Sequence, residues 1–162
     1  MGKMERSEFE DATQATIDCV GRVLCRKSGD QAYRALIVEV WTHEGYGKHT
    51  ANREGMAYTA GRIYVMSHRG HNALNIAAGH EGEPSCVWIR EVYPLNGLTH
   101  NDCKKPFTFT KAMHIDRSLD GEWVNGDEIW IEGERTPTRK IVDMTQERDK
   151  PENCVGCYRL HL

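Results

Sequence analysis

Residues 34–42 are Arg-Ala-Leu-Ile-Val-Glu-Val-Trp-Thr, the most strand-like segment of the chain. β-Branched and aromatic side chains crowd this segment, and such residues favour a pleated, half-buried strand. Residues 22–27 form a second candidate strand, and Ser-Gly-Asp at 28–30 has the composition of a tight turn between them. The two segments therefore predict an antiparallel hairpin.

Further strand-like and helical segments follow from this hairpin along the chain. Residues 8–19 and 109–115 have helical patterns, and Pro106 suits the first turn of the second helix. The last dozen residues show no clear period. Together the segments predict one α+β domain over residues 1–162. The other candidate strands lie at residues 62–66, 73–78, 86–92, 128–131 and 140–144.

Composition limits the class of protein. The chain has 162 residues, of which 39% are hydrophobic and 28% charged, and only 5 are proline. These values exclude collagen-like and wholly disordered chains. No apolar run approaches the roughly 20 residues of a membrane helix, and the first ten residues lack the apolar core of an export signal. We therefore expect a cytoplasmic or nuclear protein with no membrane partner, whose six scattered cysteines are reduced.

Charge is distributed unevenly along the chain. The formal net charge is −3, which argues against binding nucleic acid through a bulk positive field. Residues 22–72, however, hold eight Lys or Arg against four acids, whereas residues 116–134 hold seven acids against one Arg. The first half is therefore the part suited to face phosphates, although solvated surface explains the charges equally well.

The densest group of reactive side chains is Thr-His-Glu-Gly-Tyr-Gly-Lys-His-Thr at residues 42–50, where the strongest strand enters a glycine-rich loop. One hypothesis is a metal site with His43, His49, His68 and His71 as ligands. The other is a metal-free general base at Glu44 beside an aromatic surface. The His-Glu-x-x-His spacing of a helical zinc site is absent, and an ordinary polar loop remains a third interpretation.

The order of short motifs through residues 12–145 resembles the alkyladenine (3-methyladenine) DNA glycosylase family. This resemblance implies a curved, mostly antiparallel β-sheet with a few flanking helices. The motifs that carry it are Val20-Gly-Arg-Val-Leu-Cys-Arg26, Ala35-Leu-Ile-Val-Glu39, Glu44-Gly-Tyr46, His49-Thr50, Asn52-Arg-Glu-Gly-Met56, Gly61-Arg-Ile-Tyr-Val65, Asn75-Ile76, Cys86-Val-Trp-Ile-Arg-Glu91, Pro94-Leu-Asn-Gly97 and Thr110-Lys-Ala-Met-His-Ile-Asp116.

The resemblance also implies roles for individual residues. Glu44 would be the general base, with Glu39 as a second candidate because the segment after Tyr46 is shorter than in the family. Arg90, on the opposite strand, would hold the attacking water or the carboxylate. The base pocket would contain Tyr46, His49, Met66 and Asn75. The DNA contacts would include Arg69 as the residue that fills the vacated stack, together with His68, Arg53 and Lys48.

The implied function is a monofunctional DNA glycosylase that flips out and hydrolyses alkylated or deaminated purines from double-stranded DNA in base excision repair. We expect a monomer that needs no cofactor or metal and has no lyase activity, since no lysine is indicated as a Schiff-base nucleophile. Two alternatives remain: a small His/Glu metal-dependent hydrolase and a catalytically inactive damaged-DNA-binding module. Cys154 and Cys157 form half of a zinc motif, with no second half in sequence.

Overall fold

The computed structural model describes residues 2–44, 59–79 and 85–161. Within them, three α-helices surround one antiparallel sheet, which confirms the α+β prediction. The helices are α1 (Ala12–Cys19), α2 (His100–Cys103) and α3 (Pro106–Ala112). The strands are β1 (Val23–Ser28), β2 (Gln31–Glu44), β3 (Ile63–His68), β4 (His71–Ala78), β5 (Ser85–Asn96), β6 (Ile129–Glu132), β7 (Ile141–Asp143) and β8 (Cys154–Leu160).

Strand β2 is the centre of the sheet. One of its edges pairs with β5 from residue 34 to residue 44, and β5 continues through β4 to β3. Its other edge is shared: β1 pairs with the first half of β2, and β8 pairs with the second half. Three register shifts interrupt the β2–β5 ladder, one at Arg34/Ala35 and two on either side of Glu39, at Ile37/Glu39 and Glu39/Val40. Such bulges bend a strand and re-aim its side chains, here beside the site described below.

The predicted hairpin is confirmed as β1 and β2, joined through Gly29 at φ 59°. The helix predicted over residues 8–19 is shorter than expected. A 3₁₀ turn occupies Arg6–Phe9, and the α-helix begins only after Asp11. Asp11 caps α1 by accepting a hydrogen bond from the Gln14 amide. Strand β8, in the stretch that showed no period, was missed because its longer pairing is with β2, which is remote in sequence.

The hydrophobic core lies on one face of the sheet. Val40, Val87 and Ile89 point to this face, where α1 and α3 cover them with Ala15, Cys19 and Phe109. The buried hydroxyls of Thr16 on α1 and Thr42 on β2 form a hydrogen bond of 2.6 Å. Because side chains alternate along a strand, the residues between these core positions face the other side. None of the helices in the described residues is long and apolar enough to cross a membrane.

Candidate functional site

The sheet face opposite the core carries a row of polar and aromatic side chains. Trp41 on β2 pairs directly with Trp88 on β5, Trp88 pairs with Asn75 on β4, and Asn75 pairs with Tyr64 on β3. Direct cross-strand partners point to the same face, so the four side chains lie side by side. Side chains from four neighbouring strands of the sheet therefore build one surface.

Arg90 lies on this surface between the two indoles. Its guanidinium carbon is 3.8 Å from the ring centroid of Trp41 and 4.3 Å from that of Trp88. The two rings are 5.8 Å apart and meet edge to face at 76°. Burial lowers the pKa of Arg90, although the nearby charge of Glu39 opposes this shift. Within the part of the chain that the structure describes, the guanidinium has no hydrogen-bond acceptor and keeps its donors for another group.

Aromatic rings extend this surface on both sides of Trp88. His43 stacks on Trp88 at 5.3 Å between centroids, and Phe107, the second residue of α3, lies 6.5 Å from Trp88. His71 lies 5.4 Å beyond Phe107. We call Trp41, His43, His71, Trp88 and Phe107 the aromatic platform. Aromatic side chains with a cation beside them are suited to stacking a nucleobase.

Glu39 is the carboxylate nearest this centre. It is 6% exposed and accepts hydrogen bonds from Arg148 Nη2 at 2.6 Å, Arg159 Nη1 at 3.2 Å and Trp41 Nε1 at 2.9 Å. Burial alone would raise the pKa of this carboxyl, but the bonds from Arg148 and Trp41 outweigh burial and lower it. Arg159 also forms a bidentate pair with Glu91. Glu39 is therefore a fixed, fully engaged negative charge.

The expected pairing of Glu44 with Arg90 is wrong in this structure. Glu44 pairs with Ser85, five positions before Arg90 on β5, a separation of about 17 Å at the usual rise of a strand. Five positions also place the two side chains on opposite faces of the sheet. Glu44 is exposed at the end of β2, whereas Glu39 lies beside Arg90.

Other expected site residues lie on the same face as Arg90. Met66 is partly exposed opposite Ala73 on β3–β4. Asn75 is buried, and its Oδ1 accepts from Cys86 Sγ at 3.5 Å while its Nδ2 donates to the Ala73 carbonyl at 3.3 Å. An amide keeps one N–H and one lone pair after two such bonds.

The β3–β4 hairpin carries two more of the expected residues. His68 pairs with His71, and Arg69 occupies the exposed tip with φ 51°, followed by Gly70 at φ 80°. Positive φ at both central residues defines a type I′ turn, which normally selects Asn and Gly. Arg69 is thus strained at a tip, which is typical of a functional position. The remaining expected residues, Tyr46, Lys48, His49 and Arg53, lie outside the described residues.

The residues proposed as metal ligands are spread over the sheet. His43 stacks on Trp88 and His71 on Phe107, while His49 lies outside the described residues. In residues 2–44, 59–79 and 85–161, no group of three or more His, Cys, Asp or Glu is arranged to hold a metal ion. Cys154 and Cys157 bring their sulfurs within 3.8 Å of each other, and all six cysteines are buried free thiols.

Sequence reasoning missed the tryptophans and Phe107. Trp41 and Trp88 were assigned to strands, but their role depends on the β2–β5 register, which places them opposite each other. The sequence does contain one sign of this arrangement. Glu39 and Trp41 are two residues apart, as are Trp88 and Arg90, and residues two apart in a strand share a face.

Comparison with known proteins gives one family and several relatives. Residues 7–148 match the model of the methylpurine-DNA glycosylase family. A relative from Anaeromyxobacter sp. strain Fw109-5 is 30% identical over 82% of this chain and 73% of its own length. One from Clostridioides difficile strain 630 is 30% identical over 69% and 70%, and one from Bacillus subtilis strain 168 is 25% identical over 73% and 70%. All three are named "Putative 3-methyladenine DNA glycosylase".

Proposed function

The chain belongs to the methylpurine-DNA glycosylase family, and we propose that it hydrolyses the N-glycosyl bond of alkylated or deaminated purines in double-stranded DNA. It acts as an intracellular monomer in base excision repair. The observation that carries the proposal is the stacking of Arg90 on Trp41 and Trp88 beside Asn75, on the sheet face opposite the main core, where the two indoles pack with Cys154, Cys157 and Met144 in a second, smaller cluster.

The aromatic platform is the binding surface for the extruded base. A damaged purine costs a few kcal/mol to unstack from the duplex, and stacking on aromatic side chains returns about 1–3 kcal/mol per base. Asn75 adjoins the platform through its pairing with Trp88. Its remaining N–H would face the base edge and disfavour normal guanine, because the exocyclic amine of guanine is also a hydrogen-bond donor. Met66, Tyr46 and His49 would form the remaining walls of the base pocket.

Arg90 acts on the extruded nucleotide itself. Its separation from Glu44 excludes a water shared by the two side chains, so its role differs from the one expected from the sequence. A guanidinium with open donors binds a phosphate oxygen well, because its planar fork matches the phosphate geometry. We assign Arg90 to the backbone of the flipped nucleotide.

We assign Glu44 to activate water, which requires the sugar of the extruded nucleotide to reach past His43 to the end of β2, since Glu44 and Arg90 lie about 17 Å apart along the sheet. A general base needs a free lone pair and access to water and substrate. Glu39 is buried and already accepts from three donors, whereas Glu44 is exposed and lies two residues before Tyr46. The water's oxygen attacks the anomeric carbon, the C–N bond breaks as the base departs, and Glu44 takes the proton. Its negative charge also stabilises the oxocarbenium-like transition state.

The β3–β4 hairpin and its neighbours contact the DNA around the lesion. Arg69 at the exposed tip would enter the space that the base vacates, with His68 beside it. Lys48 and Arg53 would pair with phosphates of the flanking duplex. These positive charges would act locally, which is compatible with the net charge of −3.

The experiment is single-turnover release of 3-methyladenine, hypoxanthine and ethenoadenine from duplex oligonucleotides in EDTA. We expect base release without strand cleavage, and a loss of about 10²-fold or more in Glu44→Gln, the usual contribution of a general base. Asp30→Asn, an exposed acid in the β1–β2 turn, is the matched control and should keep full activity. Full activity of Glu44→Gln would refute the assignment of the base, and dependence of release on added zinc would refute metal-free hydrolysis.

A second candidate function is damaged-DNA binding without excision. It is favoured by the neutralisation of Glu39, because in the described residues the carboxylate next to Arg90 is already held by two arginines. Tight binding to abasic-analogue duplex together with no release of any of the three bases would select this function.

A further inference from the structure

We infer that Glu39 is a positioning residue that holds Arg90 in place through the indole of Trp41. The inference rests on the proposed function, since it concerns the residue assigned to the flipped nucleotide. It is carried by two consecutive contacts: Trp41 Nε1 donates to Glu39 Oε2 at 2.9 Å, and the face of the same indole supports the Arg90 guanidinium at 3.8 Å.

The carboxylate at one end of this chain of contacts is itself rigid. Arg148, between β7 and β8, and Arg159, on β8, both donate to Glu39 Oε1, and Arg159 is in turn held by Glu91 on β5. A buried carboxylate with charged donors loses its freedom to rotate, and its second oxygen is then fixed relative to the sheet. Glu39 therefore presents Oε2 to Trp41 in one orientation.

Trp41 contacts both the fixed carboxylate of Glu39 and the guanidinium of Arg90. Its N–H is bonded to Glu39, and the ring is 5% exposed. In contrast, the buried Nε1 of Trp88 has no partner among the described residues, so packing alone orients that ring. Of the two rings beside Arg90, Trp41 is the one with a directional anchor. Removing the anchor would let the guanidinium shift, and displacements of about 1 Å at a reacting centre cost up to about 10²-fold in rate.

The position of Glu39 within β2 explains why a charged residue is buried there. The ladder between β2 and β5 shifts register on both sides of Glu39. These shifts bend β2 beside Glu39, whose side chain shares a face with Trp41 two residues further on. The C-terminal hairpin β7–β8 is connected to the indole that supports Arg90 both through this carboxylate and through the packing of Cys154 and Cys157 against Trp41.

The test combines two readouts on Glu39→Ala, Trp41→Phe and the double variant. The first is the Nε–Hε NMR resonance of Arg90, assigned by its disappearance in Arg90→Lys, which ring currents of the two indoles displace from the free-arginine position. The second is the single-turnover excision rate. We expect each single variant to move the resonance toward the free position and to slow excision by about 10-fold or more.

The matched control is Glu132→Gln on β6, a carboxylate that likewise accepts from an indole two residues away, Trp130 Nε1 at 2.7 Å, but on a strand that pairs with β1 instead of β2 or β5. It should leave the Arg90 resonance in place and change the rate by less than about twofold. If Glu39 acts through Trp41, the double variant should be no slower than the slower single variant, because effects of residues in one chain of contacts are not additive. Additive losses, or an equal displacement in Glu132→Gln, would overturn the inference.

The outcomes separate this inference from the proposed function. A wild-type protein that releases no base would refute the glycosylase activity, and the NMR readout would still decide the positioning role. An active wild type whose Arg90 resonance stays unchanged in both single variants would refute positioning and leave the activity standing. Should Glu39→Ala fail to fold, Glu39→Gln decides, because it keeps the indole of Trp41 intact and removes only the charge that holds Arg148 and Arg159.

Discussion

The Arg90 guanidinium carbon lies 3.8 Å from the ring centroid of Trp41, so an indole and not a carboxylate faces this cation directly. The ring centroid of Trp88 lies 4.3 Å from the same guanidinium carbon. Cation–π contacts of this kind leave all five N–H donors free to point elsewhere, whereas an ion pair would occupy two of them. The arrangement holds the cation firmly while leaving it available to a ligand.

Arg90→Lys should therefore impair the site although the charge is kept. An ammonium cannot stack as a plane on two indoles or form a bidentate bond to a phosphate. We expect binding to abasic-analogue duplex to weaken by about 10-fold, corresponding to about 1.4 kcal/mol. Fluorescence anisotropy would measure it. Arg34→Lys, a half-exposed residue on β2 away from the platform, is the control and should bind as tightly as the wild type; equal affinity of Arg90→Lys would contradict the assignment.

Substitutions of Phe107 and Phe109 on α3 should affect different properties, DNA binding and folding stability respectively. Phe109 is fully buried in the core, and Phe109→Ala should reduce the free energy of unfolding by about 3–5 kcal/mol. Phe107 is 36% exposed on the platform, so Phe107→Ala should cost less than about 1 kcal/mol of stability but weaken binding of lesion-containing DNA. Urea unfolding and anisotropy on both variants would check this. Reversed effects would show that the platform does not face the DNA.

The fold was largely predictable because its strands are local and strongly patterned. Residues 34–42 and their upstream partner form a hairpin, in which pairing follows from a short turn. Strand β8 was not predictable, since it pairs with the second half of β2 more than one hundred residues away. Its alternation is weakened by Gly156 and Arg159, and only the three-dimensional sheet explains why this segment is extended.

The sequence predicted several residues of the site but not which of them contact one another. Arg90, Asn75 and Met66 were identified and lie on one face, because they occupy alternate positions of neighbouring strands. The partner of Arg90 was wrong, since it depends on the β2–β5 register, which one sequence does not reveal. Glu39 was retained only as a second candidate, and its partners Arg148 and Arg159 come from β8 and the turn before it.

Stability should depend on pH through Glu39. Its pKa in the folded protein is lowered, so its charge stabilises the fold above the unfolded-state pKa of about 4.3, and this contribution is lost as pH falls through the folded pKa. Glu39→Gln should be less stable than the wild type at pH 7, and the difference should narrow as the pH falls and the wild-type carboxyl takes up its proton. Urea unfolding between pH 7 and pH 3 measures the difference, with Asp30→Asn as a control. A constant gap across this range would contradict the assignment.

Arg69 should show opposite effects on stability and on DNA. A non-glycine residue at φ 51° in a type I′ turn is strained, and asparagine adopts this conformation more easily. Arg69→Asn should therefore raise the free energy of unfolding by a few tenths of a kcal/mol to about 1 kcal/mol. The same change removes the side chain that would enter the vacated base stack, so extrusion should decrease, as measured by the fluorescence of 2-aminopurine placed beside the lesion. Lys27→Gln, which removes a positive charge at the other hairpin, should change neither quantity. A stabilised Arg69→Asn protein that extrudes the base normally would show that the strain at this tip serves no DNA contact.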